Sequence, residues 1–322
     1  MEKKRKVLWF AVIVVMTLAA CVTPVSAWNT HGACTAVIIA DEAWLKQYSN
    51  ITVTAWSYET IDTAAVGPDF KLKYVEGPPG TTTSAAAILV NYADEPDWDL
   101  DSGLNLSKLQ ILTGGSQGWR HQYYGLGWLR LGEGPARAQY FFNLAEQAYK
   151  GGDLYWTFRY LARSLHYVQD LTEPYHGVPA PIGIIFKGIT DFNALFAASI
   201  NHHYNLEEYQ GAMVGMGSPA FITALRSGQA FDLKEATSAR WLGVHGTYVG
   251  RDYVRTLWKL EEDFFGDQID GKEKWIQDMS TLGVAAADTS QAVYDQQLAV
   301  SLTMMSGYTK TLLQLARSKI GL

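Results

Sequence analysis

The sequence predicts an all-α protein, a single multi-helix domain with long loops. From Ala136 onward apolar residues recur at helical spacing. In LYWTFRYLARSLHYVQDL, for example, Leu154, Phe158, Leu161, Leu165 and Val168 share one face. Gly151-Gly152 and Pro174 interrupt those patterns where helices would stop. No Pro/Gly/Ser linker and no internal repeat divides the chain.

Residues 1–27, MEKKRKVLWFAVIVVMTLAACVTPVSA, read as an export signal. Lys3, Lys4, Arg5 and Lys6 precede an apolar run from Val7 to Cys21, and Val25-Ser26-Ala27 offers a small-residue cleavage site. Leu18-Ala19-Ala20-Cys21 supports a competing reading, a lipobox that would leave the protein anchored through Cys21. Cleavage makes the expected location secreted or extracytoplasmic. The apolar-rich stretch 32–48 predicts the first helix of the mature domain, residues 28–322. Residues 50–118 carry the break Gly77-Pro78-Pro79-Gly80 and the acidic run ADEPDWDLDSG, and predict short helices and loops. ARAQYFFNLAEQAYK predicts a helix stopping at Gly151, and Pro174 is expected to end the next one. The segment 177–188, GVPAPIGIIFKG, is rich in Pro, Gly, Ile and Phe. Helical patterns resume over 192–214, 235–265 and 286–320.

Nearly half the chain is apolar, enough to bury a substantial core. With the signal removed only Cys34 remains, so no intramolecular disulfide is available. Stability then rests on the core and on bound metal. The net charge is −6, and the first 27 residues carry four basic side chains against one acidic, so the remainder is more acidic still. That balance disfavours binding a polyanion by bulk electrostatics. It does not exclude a nuclease whose metal ions supply local positive charge.

The sharpest chemical pattern is His166-x3-Asp170-x5-His176, followed by His203-x3-Glu207. A step of four sets both side chains on one helical face. An imidazole and a carboxylate so placed can hold zinc, and clustered zinc ions of this kind hydrolyse phosphate esters. As plain helix ion pairs the same residues would contribute only about a few tenths of a kcal/mol each.

HYVQDLTEPYH resembles the HYLGDxxQPxH core of the zinc-dependent phospholipase C and S1/P1 nuclease superfamily. The resemblance implies an all-α fold around three zinc ions. It implies that Trp28, exposed as the first residue by cleavage, binds zinc through its free amine and carbonyl, with His31 beside it. Asn91-Tyr92-Ala93-Asp94 resembles the family's WAD or AAD context, which makes Asp94 the ligand, with Asp97, Asp99 and Asp101 as alternatives. Trp119-Arg120-His121-Gln122-Tyr123-Tyr124 resembles its HFY context. By this correspondence Asp94, His121, His166 and Asp170 bind one ion. His176, His203 and Glu207 bind another, and Trp28 and His31 a third that Asp170 bridges to the first. Asp94 would also orient the attacking water. His202 falls one register off and is expected to be a supporting or structural residue, and the resemblance assigns His245 no role. MMSGYTKTLLQLARS resembles the closing helix of the family.

The implied function is a phospholipase C, in which a metal-bound hydroxide releases diacylglycerol and a phosphorylated headgroup. The alternatives are an S1/P1-type single-strand nuclease and a non-catalytic, zinc-stabilised envelope protein. Three features favour lipid. Glu207 stands where the nucleases usually carry Asp, the chain is acidic, and the apolar run Val178–Phe186 lies between two ligand motifs. Ile182, Ile184, Ile185 and Phe186 are expected to meet the lipid interface or else to pack on the core. The expected partner is a phospholipid at a membrane surface. Nucleic acid enters only under the nuclease alternative, and no obligate protein partner is evident.

Overall fold

The computed structural model describes residues 30–322 apart from 61, 127–128, 189–190, 267–268 and 270–288. Trp28, Cys21 and the expected signal therefore lie outside the described residues. Helix α1 (His31–Ile39) is shorter than the sequence suggested. The chain breaks at Ala40–Glu42 and resumes as a 3-10 turn over Ala43–Tyr48, which buries Trp44 and Leu45. A short ribbon pairs β1 (Ile51–Thr52) antiparallel with β2 (Thr82–Thr83), Ile51 opposite Thr83. Helix α2 (Ala85–Tyr92) follows, capped by Ser84, whose hydroxyl accepts from the Ala87 N–H at 3.2 Å.

A short α3 (Ser116–His121) leads into a hairpin that the sequence did not announce. Its strands are β3 (Tyr124–Leu126) and β4 (Leu129–Leu131), with Tyr124 opposite Leu131. Helix α4 (Gly134–Lys150) turns at Gly151-Gly152 into α5 (Leu154–Asp170). Gly152 has φ 78°, in the left-handed region that suits glycine after a helix. Asp153 then caps α5, accepting from the Trp156 N–H at 3.1 Å.

Every residue of α5 from Tyr155 to Asp170 is buried, including Arg159, Arg163, His166, Gln169 and Asp170. Polar groups in such a place need partners. Arg159 and Arg163 both clasp Glu95, the latter at 2.7 Å. This buried triad pins the 3-10 turn Glu95–Asp97 to α5 one turn before His166. Breaking such a pair by removing one partner costs about 3–5 kcal/mol.

Pro174 does not merely end α5. It occupies the first turn of a separate short helix, α6 (Pro174–Gly177), capped by Glu173, and a fixed φ without an N–H is well suited to that position. The remaining helices are α7 (Ile182–Lys187), α8 (Phe192–Gly215), α9 (Pro219–Ser227), α10 (Ala239–Gly250), α11 (Val254–Phe265) and α12 (Thr289–Ile320). The pattern over 235–265 proves to be two helices separated by the turn Arg251–Tyr253.

Apolar side chains gather in two clusters. One joins α2, α4 and α5 to the end of α12 through Tyr308, Leu312 and Ala316. The other joins α8, α9 and α11 to its beginning through Tyr294, Leu298 and Met305, and includes Cys34. Burial pushes the Cys34 thiol up and keeps it unreactive. Among the described residues no helix is long and apolar enough to cross a membrane. The architecture is all-α, with two minimal ribbons among the described residues.

Candidate metal centre

His166 and Asp170, one turn apart on α5, meet with Nε2 3.2 Å from Oδ2. The Nδ1–H of His166 donates to the Ala93 carbonyl at 2.7 Å, which commits that nitrogen and leaves Nε2 facing the carboxylates. From the end of α3, His121 brings Nδ1 to 2.9 Å from Asp170 Oδ2 and 3.1 Å from His166 Nε2. Its other nitrogen lies 3.2 Å from Asp101. Asp97, at the end of the 3-10 turn, sets Oδ1 3.5 Å from both His121 and His166.

His31 approaches from the start of α1, with Nε2 3.2 Å from Asp170 Oδ1. Its Nδ1–H donates to Gln169 Oε1 at 2.9 Å, and the Gln169 amide donates in turn to Thr35 and Thr309. The two oxygens of Asp170 thus serve different histidines, as in a carboxylate that bridges two ions.

A second gathering adjoins the first. His176 on α6 donates from Nδ1 to the His121 carbonyl at 3.3 Å and sets Nε2 3.1 Å from Glu207 Oε1. His203 and Glu207, one turn apart on α8, meet at 3.0 Å. Glu173 completes this group. Its Oε2 accepts from the Tyr175 and His176 N–H groups at 2.9 and 3.2 Å, and lies 3.8 Å from His203 Nε2. Its Oε1 is buried without a hydrogen bond.

Ligand-type atoms fall within 4.8 Å of one another in three sets: Glu173, His176, His203 and Glu207; His31, Asp97 and His166; and His121, His166 and Asp170. Asp94 is not among them. Its Oδ2 instead accepts from the Gly32 N–H at 3.1 Å and holds the first turn of α1. The reason is the backbone path, since the turn Glu95–Asp97 carries the chain towards α5 and brings Asp97 to the histidines. Asp101 stands behind His121 and is itself clasped by Arg120 at 2.6 Å and Arg137 at 3.1 Å. Asp99 joins no ligand set. His202 sets Nδ1 2.6 Å from Glu261 and stacks on Trp258 at 3.5 Å, clear of the ligand sets. His245 bonds the Tyr308 hydroxyl and stacks on Trp241. Trp28 lies outside the described residues.

The electrostatics fit a cation. Among the described residues no Lys or Arg is within ion-pair reach of Asp97, Asp170, Glu173 or Glu207, all of them buried or nearly so. Buried carboxylates need compensation. Without a metal ion the neighbouring imidazoles are the source of positive charge among the described residues. Burial disfavours a charged His121, but Asp101, Asp170 and Asp97 outweigh that and push it up to about 10. Burial likewise opposes charge on Glu207, yet His203 and His176 hold its carboxyl at about 2. Burial raises Asp97, with Asp170 adding to the effect, and it raises Glu173, with Glu207 adding there. His121, Asp97 and Glu173 thus hold protons that a divalent ion would replace.

Sequence spacing marked His166, Asp170, His203 and Glu207, and the structure brings His31, His121 and His176 to them. Glu173 was missed. The signal lay in the motif itself, because the family core it resembles carries Gln at that position, and Glu adds a carboxylate.

No protein-family model matches the sequence, and no curated protein matches it significantly. Among solved structures the chain is similar to a crystal structure of the alpha-toxin of Clostridium perfringens from an avian strain. That similarity covers 93% of this chain and 67% of that one, with 13% identity and a TM-score of 0.38.

Proposed function

We propose that the chain is a zinc-dependent phosphodiester hydrolase of the phospholipase C type. The observation that carries this reading is the pair of adjoining buried ligand groups around Asp170, whose two oxygens face His31 and His121 at 3.2 and 2.9 Å. Asp97, His121, His166 and Asp170 would hold one ion, and His176, His203 and Glu207, with Glu173, another. His31 and Asp170 would contribute to a third, with Trp28 as its expected partner. Bound zinc supplies a water that ionises near neutral pH and neutralises charge gathering on a phosphoryl group.

The chain's own residues set the geometry around that chemistry. The Nδ1–H bonds of His31, His166 and His176 fix each ring so that Nε2 points inward. The water-orienting role expected of Asp94 fits Asp97 better, because its Oδ1 lies 3.5 Å from both His121 and His166. Lipid is favoured over nucleic acid by the net charge of −6 and by Ile182 and Phe186, each 60% exposed on α7.

The test is a paired assay of zinc-loaded protein with and without chelator. Phosphocholine release from phosphatidylcholine vesicles is compared with nucleotide release from single-stranded DNA. Chelator-sensitive lipid cleavage is expected. Chelator-sensitive DNA cleavage would transfer the protein to the nuclease alternative. Zinc-dependent folding with neither activity would make it the non-catalytic envelope protein.

A further inference from the structure

Beside the metal centre lies an open groove of about 1010 Å³, between the β3–β4 hairpin, α7 and the start of α11. Its walls hold four cationic side chains, Arg130, Arg251, Arg255 and Lys259, against two acidic ones, Asp252 and Glu262. That is a local excess of positive charge on a chain whose net charge is −6. Glu262 is engaged by the Trp258 indole N–H at 2.9 Å, and Lys259 is paired with Asp263. Among the described residues no carboxylate lies within ion-pair reach of Arg251 or Arg255.

Two of the guanidinium groups are built into place. Arg130 donates to the Tyr248 hydroxyl from Nη2 at 2.7 Å, and Arg251 lies over the ring of the same tyrosine at 4.4 Å. A Cβ on Gly125 would come within 2.9 Å of Arg251 Nη1, so the hairpin backbone packs closely against that guanidinium. Like charges gathered on one tyrosine repel unless an anion sits between or beside them.

The groove connects to the centre on one side and to apolar surface on the other. Gly177, next to His176, packs on Arg251, and Trp258 in the groove wall stacks on His202, the neighbour of His203. Along the other edge α7 holds out Ile182 and Phe186, each 60% exposed. Exposed apolar side chains next to a cationic groove match the two layers of an anionic bilayer surface, acyl chains beneath phosphates.

We infer that this groove docks an anionic phospholipid headgroup, with Ile182 and Phe186 seated among the acyl chains. The inference deepens the hydrolase reading by naming its substrate surface, and rests on that reading only for what is cleaved. Docking is measured without turnover, with chelator present, by co-sedimenting the mature protein, residues 28–322, with vesicles. Phosphatidylcholine vesicles are compared with vesicles that also contain phosphatidylglycerol.

The mature protein is expected to bind the anionic vesicles preferentially and to lose that binding as salt rises. The double variant R251Q/R255Q is expected to bind roughly tenfold more weakly. I182S/F186S, which alters only exposed side chains, should weaken binding while leaving the salt dependence intact. Equal binding to both vesicle types, or an unchanged R251Q/R255Q variant, would overturn the inference. So would displacement of the protein from vesicles by single-stranded DNA through the same arginines. Cleavage of lipid without anionic preference would remove the groove's role and leave the hydrolase reading standing. Anionic binding without cleavage would do the reverse.

Discussion

Asp101 and Glu173 show how one carboxylate can decide what a neighbouring histidine does. Asp101 touches no candidate ion, yet it faces His121 at 3.2 Å and is fixed by Arg120 and Arg137. Asp101→Asn is expected to lower zinc affinity roughly 10–100-fold by releasing that ring. It should also destabilise the fold by about 3 kcal/mol, because two guanidinium groups lose a buried partner. Chelator competition and chemical denaturation would read the two effects separately, and unchanged affinity would deny Asp101 any hold on His121. Glu173→Gln is the cleaner substitution. Its amide oxygen can still accept from the Tyr175 and His176 N–H groups, so the α6 cap survives. The second ligand group loses a charge, and its zinc affinity is expected to fall about tenfold or more while the metal-free Tm holds. If the affinity held instead, Glu173 would be a helix cap and nothing more.

At the scale of elements, the centre depends on how closely α1 approaches α2. A Cβ on Gly32 would lie 2.7 Å from Asp94 Oδ2 and 2.8 Å from the Val90 carbonyl, so an alanine there must push α1 away. Gly32→Ala alters no ligand, but its neighbour His31 rides on the same turn. The expected result is about 1–3 kcal/mol of destabilisation together with weakened zinc binding at the His31 position. Wild-type zinc stoichiometry and affinity in a destabilised variant would show that the contact matters for packing alone. The same scale explains what the sequence disclosed. A step of four on a helix is a local rule, and it marked His166 with Asp170 and His203 with Glu207. The choice among Asp94, Asp97 and Asp101 depends on the path of a 3-10 turn tied to Arg159 and Arg163 on a distant helix, and spacing does not encode that path. Pro174 reads as a stop in sequence, yet it also starts a helix, and only the packed structure reveals the turn that carries His176. The β3–β4 hairpin escaped notice because YGLGWLRL has few residues per strand and no strong turn dipeptide.

For the whole molecule, metal occupancy and stability should be linked through pH. Chelated protein has to balance its buried carboxylates with protons. His121 is raised from 6.5 to about 10, so the stability it lends is complete below 6.5 and is lost as pH climbs through 10. Glu207 is lowered from 4.5 to about 2, so its contribution is complete above 4.5 and is lost as pH falls through 2. Asp97 and Glu173, both raised by burial, act in the same direction: the stability they lend falls as pH rises above their ordinary 3.8 and 4.5, because each must give up its proton inside the protein. Chelated protein should therefore weaken as pH rises above 6.5 towards 10, and weaken again in strong acid as Glu207 gains its proton. Zinc-loaded protein should keep its Tm on the alkaline side, since the ion replaces the protons. Calorimetry across that range checks the sign, and a chelated Tm that rose towards alkaline pH would oppose it. The central claim, that these clustered side chains are zinc ligands, is tested most directly by anomalous diffraction at the zinc edge from zinc-loaded crystals. The expected map has one peak among Asp97, His121, His166 and Asp170, a second among Glu173, His176, His203 and Glu207, and a third beside His31. A folded, zinc-treated crystal with no anomalous peak at any of these positions would contradict it.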